Sequence, residues 1–194
     1  SKNNECNINS DNYYVKLLFP IIVSVYRYFE EYPKLLNVFN NLLIKVIPNR
    51  YGDEFISGKY DPKSNIVYLY LSGLNPHSLA HELIHRYDYI NNFDIDSTFL
   101  EIRAEIVSNI GFLSEEDIKE RINWLRQRFD SYKKIELYDK LPREVGYVVG
   151  AEISYNLLKI NNDYVIKQIV DKILDAQNLY SLYKFIEKIE ELSN

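Results

Sequence analysis

The chain has 194 residues, 46% of them hydrophobic and 26% charged, an ordinary globular balance with enough apolar surface for a sizeable core. A net charge of −5 and a pI near 5.3 exclude a general nucleic-acid binder, which needs a basic footprint for phosphate. Cys6 stands alone, which excludes an internal disulfide and a cysteine-built metal cluster and favours a reducing compartment.

The first twelve residues are polar and lack the layout of a secretory signal; they read as a pro-segment or a loose start. "YYVKLLFPIIVSVYRYFEE", from 13 to 31, carries apolar side chains at helical spacing, with Pro20 expected to kink or start the helix. Its apolar run is too short to span a bilayer, so no membrane span is expected and the cytoplasm is the expected compartment. Pro33 opens a second helical stretch running to Leu43, and "LLIKVIP" reads as a continuation into strand. "DEFISGKY" and "NIVYLYL" are rich in β-branched and aromatic residues, and "DPKSN" between them has turn chemistry; together they predict a β-hairpin.

"LNPHSLAHELIHRYDYINN" predicts a helix. Asn75 is its N-cap, Pro76 takes the first turn, and Asn91–Asn92 end it in left-handed geometry. Leu79, Ala80, Leu83, Ile84 and Tyr87 make its apolar face. "DIDSTFLEIRAEIVSNIGF" is the next helix, capped near Asp96 or Ser97, with Phe99, Ile102, Ile106 and Ile110 as its buried stripe. Helices capped by Ser114, started at Pro142, and carried by "NDYVIKQIVDKIL" and "LYSLYKFIEKIEEL" complete the chain. The basic stretch "RINWLRQRFDSYKK" at 121–134 reads as a solvated helix face, with a surface for an anionic partner as the minor alternative. The expected fold class is α+β, mostly helical: a hairpin or small sheet before the 76–90 helix, then a helical lobe. It reads as one domain with an N-terminal lobe over about 13–92, a C-terminal lobe over about 93–194 and a cleft between them.

The chemistry concentrates in "HELIH". His81 and His85, four residues apart on a helix, lie on one face one turn from each other and can offer two imidazole nitrogens to one Zn2+. Glu82 is rotated by roughly 100° from His81, which places a carboxylate beside an open coordination position, where it can deprotonate a zinc-activated water. The motif lies inside a capped helix, follows a hairpin, and has apolar Leu83 and Ile84 between its polar members. Arg86 puts a charge where such helices usually carry an uncharged residue. A third histidine six residues after His85 is excluded, because Asn91 stands there. The third ligand then comes from the next helix: Glu101 is the first choice, with Glu105 one turn on as an outer acceptor for a ligating imidazole. The alternative exchanges them, with Glu105 as ligand and Asn109 behind it. Asp88 shares the histidine face and is expected to orient a ligand, hold Arg103 or end the helix; His77 reads as an exposed helix-start residue.

"HELIH" with a downstream glutamate helix resembles the gluzincin clan of zinc metallopeptidases. Over Ala80 to Ser108, "HELIHRYD" followed by "EIRA" is similar to the mitochondrial metallopeptidase family that matures a subunit of ATP synthase. The resemblance implies a zincin-like fold, zinc on His81, His85 and Glu101, Glu82 as general base and acid, and a peptide or protein substrate. It also implies that the strand before the motif helix, here "NIVYLYL", offers an exposed edge to substrate. A tyrosine or Arg103 would then face the oxyanion. "VGYVVGAEISY" resembles the clan's tyrosine followed by a glycine three residues later, which singles out Tyr147, with Gly150 permitting close helix approach and Tyr155 as second choice. Two competing expectations are a degenerate zincin that only binds protein and a structural zinc with four protein ligands.

Overall fold

The structure is a computed structural model that describes residues 13–50, 56–91 and 96–193. The expected pro-segment or loose start, the first three residues of "DEFISGKY", and Asn92 lie outside the described residues. The chain divides into two units, the first ending at Asn91. Helix dominates both, and the only sheet among the described residues has three strands, so the fold is α+β and mostly helical. No helix among the described residues is long and apolar enough to cross a membrane.

In the first unit, α1 spans Tyr13–Phe29 with Pro20 inside it, and buries Leu18, Ile21, Val25 and Phe29 along one side. The segment after Pro33 is a 3-10 helix that stops at Phe39, shorter than the helical stretch expected to Leu43. Asn41 follows in the left-handed region (φ 54°), and β1, Leu43–Ile47, begins two residues later. β2 (Gly58–Asp61) and β3 (Ile66–Tyr70) form the predicted antiparallel hairpin. Its turn is built from local acceptors: Asp61 takes hydrogen bonds from the Lys63 N–H at 3.1 Å and the Ser64 hydroxyl at 2.6 Å, and Asn65 adopts φ 58°.

The sheet order β1-β3-β2 corrects one expectation. β3, the "NIVYLYL" strand, is the central strand and offers no edge: β1 pairs with it in parallel on one side and β2 antiparallel on the other. The reason is burial. Ile66, Val67 and Leu69 are all nearly or fully inaccessible, as a central strand requires, whereas β2 and β1 keep exposed positions. β2 is the edge strand that packs against α2, Pro76–Ile90.

The second unit is a helical assembly. α3 (Ser97–Phe112), α4 (Glu115–Lys134) and α5 (Leu141–Leu158) precede α6 (Asp163–Asp175) and α7 (Leu179–Ser193). Ser114 caps α4 through a reciprocal box with Asp117, and acidic residues at its start and Lys133–Lys134 at its end suit the helix dipole. Phe99, Ile102 and Ile106 of α3 form the expected stripe and pack with Leu157, Ile169, Ile173 and Leu182. Each such burial contributes roughly 1.5–3 kcal/mol. Two glycines of α5 set its distance from α3. A Cβ on Gly146 would stand 2.8 Å from the Glu101 Cβ, and one on Gly150 would stand 2.6 Å from the Glu105 Cβ. The helices therefore touch backbone to backbone along the turn that carries both glutamates.

Candidate metal centre

Helix α2 starts as its sequence requires: the Asn75 side chain accepts the Ser78 N–H at 2.8 Å, with Pro76 in the first turn. Only the first residue of its expected Asn91–Asn92 ending is described. Asn91 has right-handed geometry (φ −84°, ψ 0°), and its side-chain amide donates to the Tyr87 carbonyl at 2.8 Å in the last turn. Leu79, Ala80, Leu83, Ile84 and Tyr87 are all buried and anchor the helix in its unit.

That anchoring fixes the polar side. The His81 and His85 rings meet edge to face, centroids 4.8 Å apart, with their Nε2 atoms 3.2 Å from each other. A Glu82 carboxylate oxygen joins them, all three ligand atoms lying within 4.8 Å of one another. Two imidazole nitrogens this close share either one proton or one cation. Two metal–nitrogen bonds of about 2.0–2.1 Å at a tetrahedral angle separate the nitrogens by roughly 3.3 Å, so the group has the spacing to hold a metal ion. His81 and Glu82 are buried and His85 is partly exposed. His77, in the first turn of the same helix, is partly buried.

Arg86 does not share that side. Its Nε donates to the Val38 carbonyl at 2.7 Å, its Nη2 to the Asn40 carbonyl at 2.6 Å, and its Nη1 reaches the Tyr60 hydroxyl at 3.4 Å. The charge that looked out of place in the motif is buried, and it donates to two carbonyls at the end of the 3-10 turn. Tyr60 also donates to Asn65 Oδ1 at 3.2 Å, and burial holds its phenol above the ordinary tyrosine value despite Arg86. Asp88 is almost fully inaccessible on the same helix.

The glutamates expected to complete the set lie on α3 in the second unit, both fully buried. Arg143 Nε stands 3.5 Å from Glu101 Oε1. Glu105 is held more firmly: Arg121 Nε donates to Oε2 at 2.9 Å, Nη2 to Oε1 at 2.5 Å, and the Asn109 amide to Oε2 at 3.1 Å. Asn109 thus stands behind Glu105 as anticipated, but a guanidinium already takes both oxygens. Burial opposes the Arg121 charge, yet the Glu105 carboxylate overrides it and keeps that guanidinium above its ordinary value.

The basic stretch at 121–134 is solvated in part: Arg126, Lys133 and Lys134 are exposed, whereas two of its arginines are not. Arg121 and Arg128 turn inward to the buried carboxylates Glu105 and Glu144, and Arg126 pairs with Glu152 nearer the surface. Buried carboxylates need countercharges, and α4 supplies them. Arg103, considered for a substrate oxygen, is fully buried and bonds the Leu174 and Ala176 carbonyls at the end of α6, with its guanidinium 4.8 Å from the Phe99 ring. Unsatisfied carbonyls at a helix end explain that choice. Tyr147 is partly buried against the Ile118, Ile122, Leu125 and Ala151 cluster, with Arg128 5.4 Å from its ring; Tyr155 packs on the same cluster, beneath Lys159. Gly146 went unnoticed in the sequence, although its spacing of four from Gly150 was the available signal.

Comparison with protein-family models, with curated proteins and with solved structures gives no match for this chain.

Proposed function

We propose that the protein is a zinc-dependent, gluzincin-like peptidase of zincin-like fold that hydrolyses peptide bonds. The observation that carries this reading is the convergence of the His81 and His85 Nε2 atoms, 3.2 Å apart, beside the Glu82 carboxylate. His81 and His85 would hold the ion, and Glu101 is favoured over Glu105 as the third ligand because Arg121 engages both Glu105 oxygens. Zinc, when bound, would polarise a carbonyl and acidify a nearby water. Glu82 takes the proton from the attacking water and passes it to the departing amine, so the carboxylate is regenerated when the C–N bond breaks. An extended peptide would add to β2, the edge strand against α2, rather than to β3. Tyr147 is the donor assigned to the oxyanion, and Tyr147→Phe would lower kcat with KM unchanged.

The deciding experiment is digestion of an unbiased peptide library by the purified chain, with and without a chelator, alongside Glu82→Gln. Cleavage that disappears in Glu82→Gln while zinc stays bound supports the peptidase. A Glu82→Gln protein that still cuts refutes the assignment, and stoichiometric zinc without any cleavage by the parent chain favours a protein-binding module.

A further inference from the structure

Strand β2 lies along α2 in a specific register. Gly58 and Tyr60, two apart on one strand, face the same way, and Glu82 and Arg86, four apart on the helix, are the residues they meet. The Arg86–Tyr60 contact sets one end of this pairing. At the other, a Cβ built on Gly58 would stand 3.0 Å from Glu82 Cγ, 3.1 Å from the Tyr68 carbonyl oxygen and 3.4 Å from Leu69 Cδ2. Glu82 is itself only 8% exposed, so its side chain has little room to retreat.

We propose that Gly58 is a positioning residue for the catalytic base: its missing side chain leaves the Glu82 methylene the space that holds the carboxylate beside the two imidazoles. This rests on the peptidase reading above. Any larger residue at 58 displaces Glu82 Cγ by a few tenths of an ångström, because the Tyr68 carbonyl behind it belongs to the central strand and does not yield. The displacement reaches the carboxylate, whose distance to the attacking water governs proton transfer, and catalysis is sensitive to shifts of that scale. Ligation is untouched, because His81 and His85 are separate side chains whose nitrogens do not depend on the Glu82 rotamer.

The test is Gly58→Ala on the full chain, read by kinetics, zinc content and melting temperature, together with Glu82→Ala and the double variant. The expected result is a kcat lowered about tenfold or more, KM within about twofold, and zinc retained at the parent level. The melting temperature should fall by about 2–4 °C more when Gly58→Ala is made in the parent than when it is made in Glu82→Ala, since the Tyr68 contact is common to both backgrounds and cancels. Should Gly58→Ala not fold, recovery of a folded protein in the double variant supports the contact, and failure of both overturns it. A parent enzyme that needs Glu82 but loses nothing in Gly58→Ala overturns this inference alone, as do equal melting shifts in the two backgrounds. A parent chain without peptidase activity overturns the inference together with the reading beneath it.

Discussion

Arg121 meets Glu105 with two arms of its guanidinium, at 2.9 Å and 2.5 Å, and the carboxylate it holds is fully buried. The pair joins α4 to α3, and its energetics are asymmetric: the intact pair costs desolvation, but a lone buried carboxylate costs far more.

Arg121→Met is therefore expected to destabilise the protein by about 3–5 kcal/mol in denaturant unfolding. Adding Glu105→Leu to it should recover most of that loss, because the uncompensated charge is gone. A single variant as stable as the parent would contradict the pairing.

Gly150 sets up an opposition of sign. Alanine is the better helix former by about 1 kcal/mol. Its Cβ, however, would stand 2.6 Å from the Glu105 Cβ and 3.0 Å from the Ile102 carbonyl oxygen, and overpacking of this kind costs about 1–3 kcal/mol. Gly150→Ala should therefore be less stable than the parent, and a raised melting temperature would mean that α3 and α5 are not in close contact.

Zinc at one hundred times its dissociation constant should stabilise the folded chain by about 2.7 kcal/mol, seen as a rise in melting temperature. His81→Ala and His85→Ala should abolish the rise and Glu101→Ala should reduce it, whereas Glu82→Gln should keep it. Equal rises in the parent and in His85→Ala would place the ion elsewhere.

Tyr60 gives the pH dependence. Burial raises its phenol above the ordinary value, so the unfolded chain ionises first. The contribution is fully present below about pH 10, the ordinary tyrosine range, and is lost as pH rises through the higher folded value. Tyr60→Phe should flatten that alkaline decline in stability, and an unchanged decline would assign it to another group.

Local chemistry was legible in the sequence, and distant pairing was not. Asn75, Asp96 and Ser114 cap their helices as read, because a cap needs only an acceptor and an amide three residues away. The His81–Glu82–His85 grouping was readable for the same reason, since one helical turn brings its members together. The place of β3 in the sheet was hidden, because its parallel partner β1 lies more than twenty residues earlier and nothing local announces the pairing. Arginines misled for a related reason: Arg121 and Arg128 looked like surface charge and Arg86 looked out of place in its motif until their acceptors, far away in sequence, were in view.

Arg86 ties the helix that bears both imidazoles to the carbonyls of Val38 and Asn40, so the paired imidazole nitrogens and the short helical turn before β1 are expected to open as one unit. In native-state hydrogen exchange, the amides around residue 38 and those of the 81–86 turn should open together, and whatever frees that distant turn would also loosen the pairing of the two imidazoles.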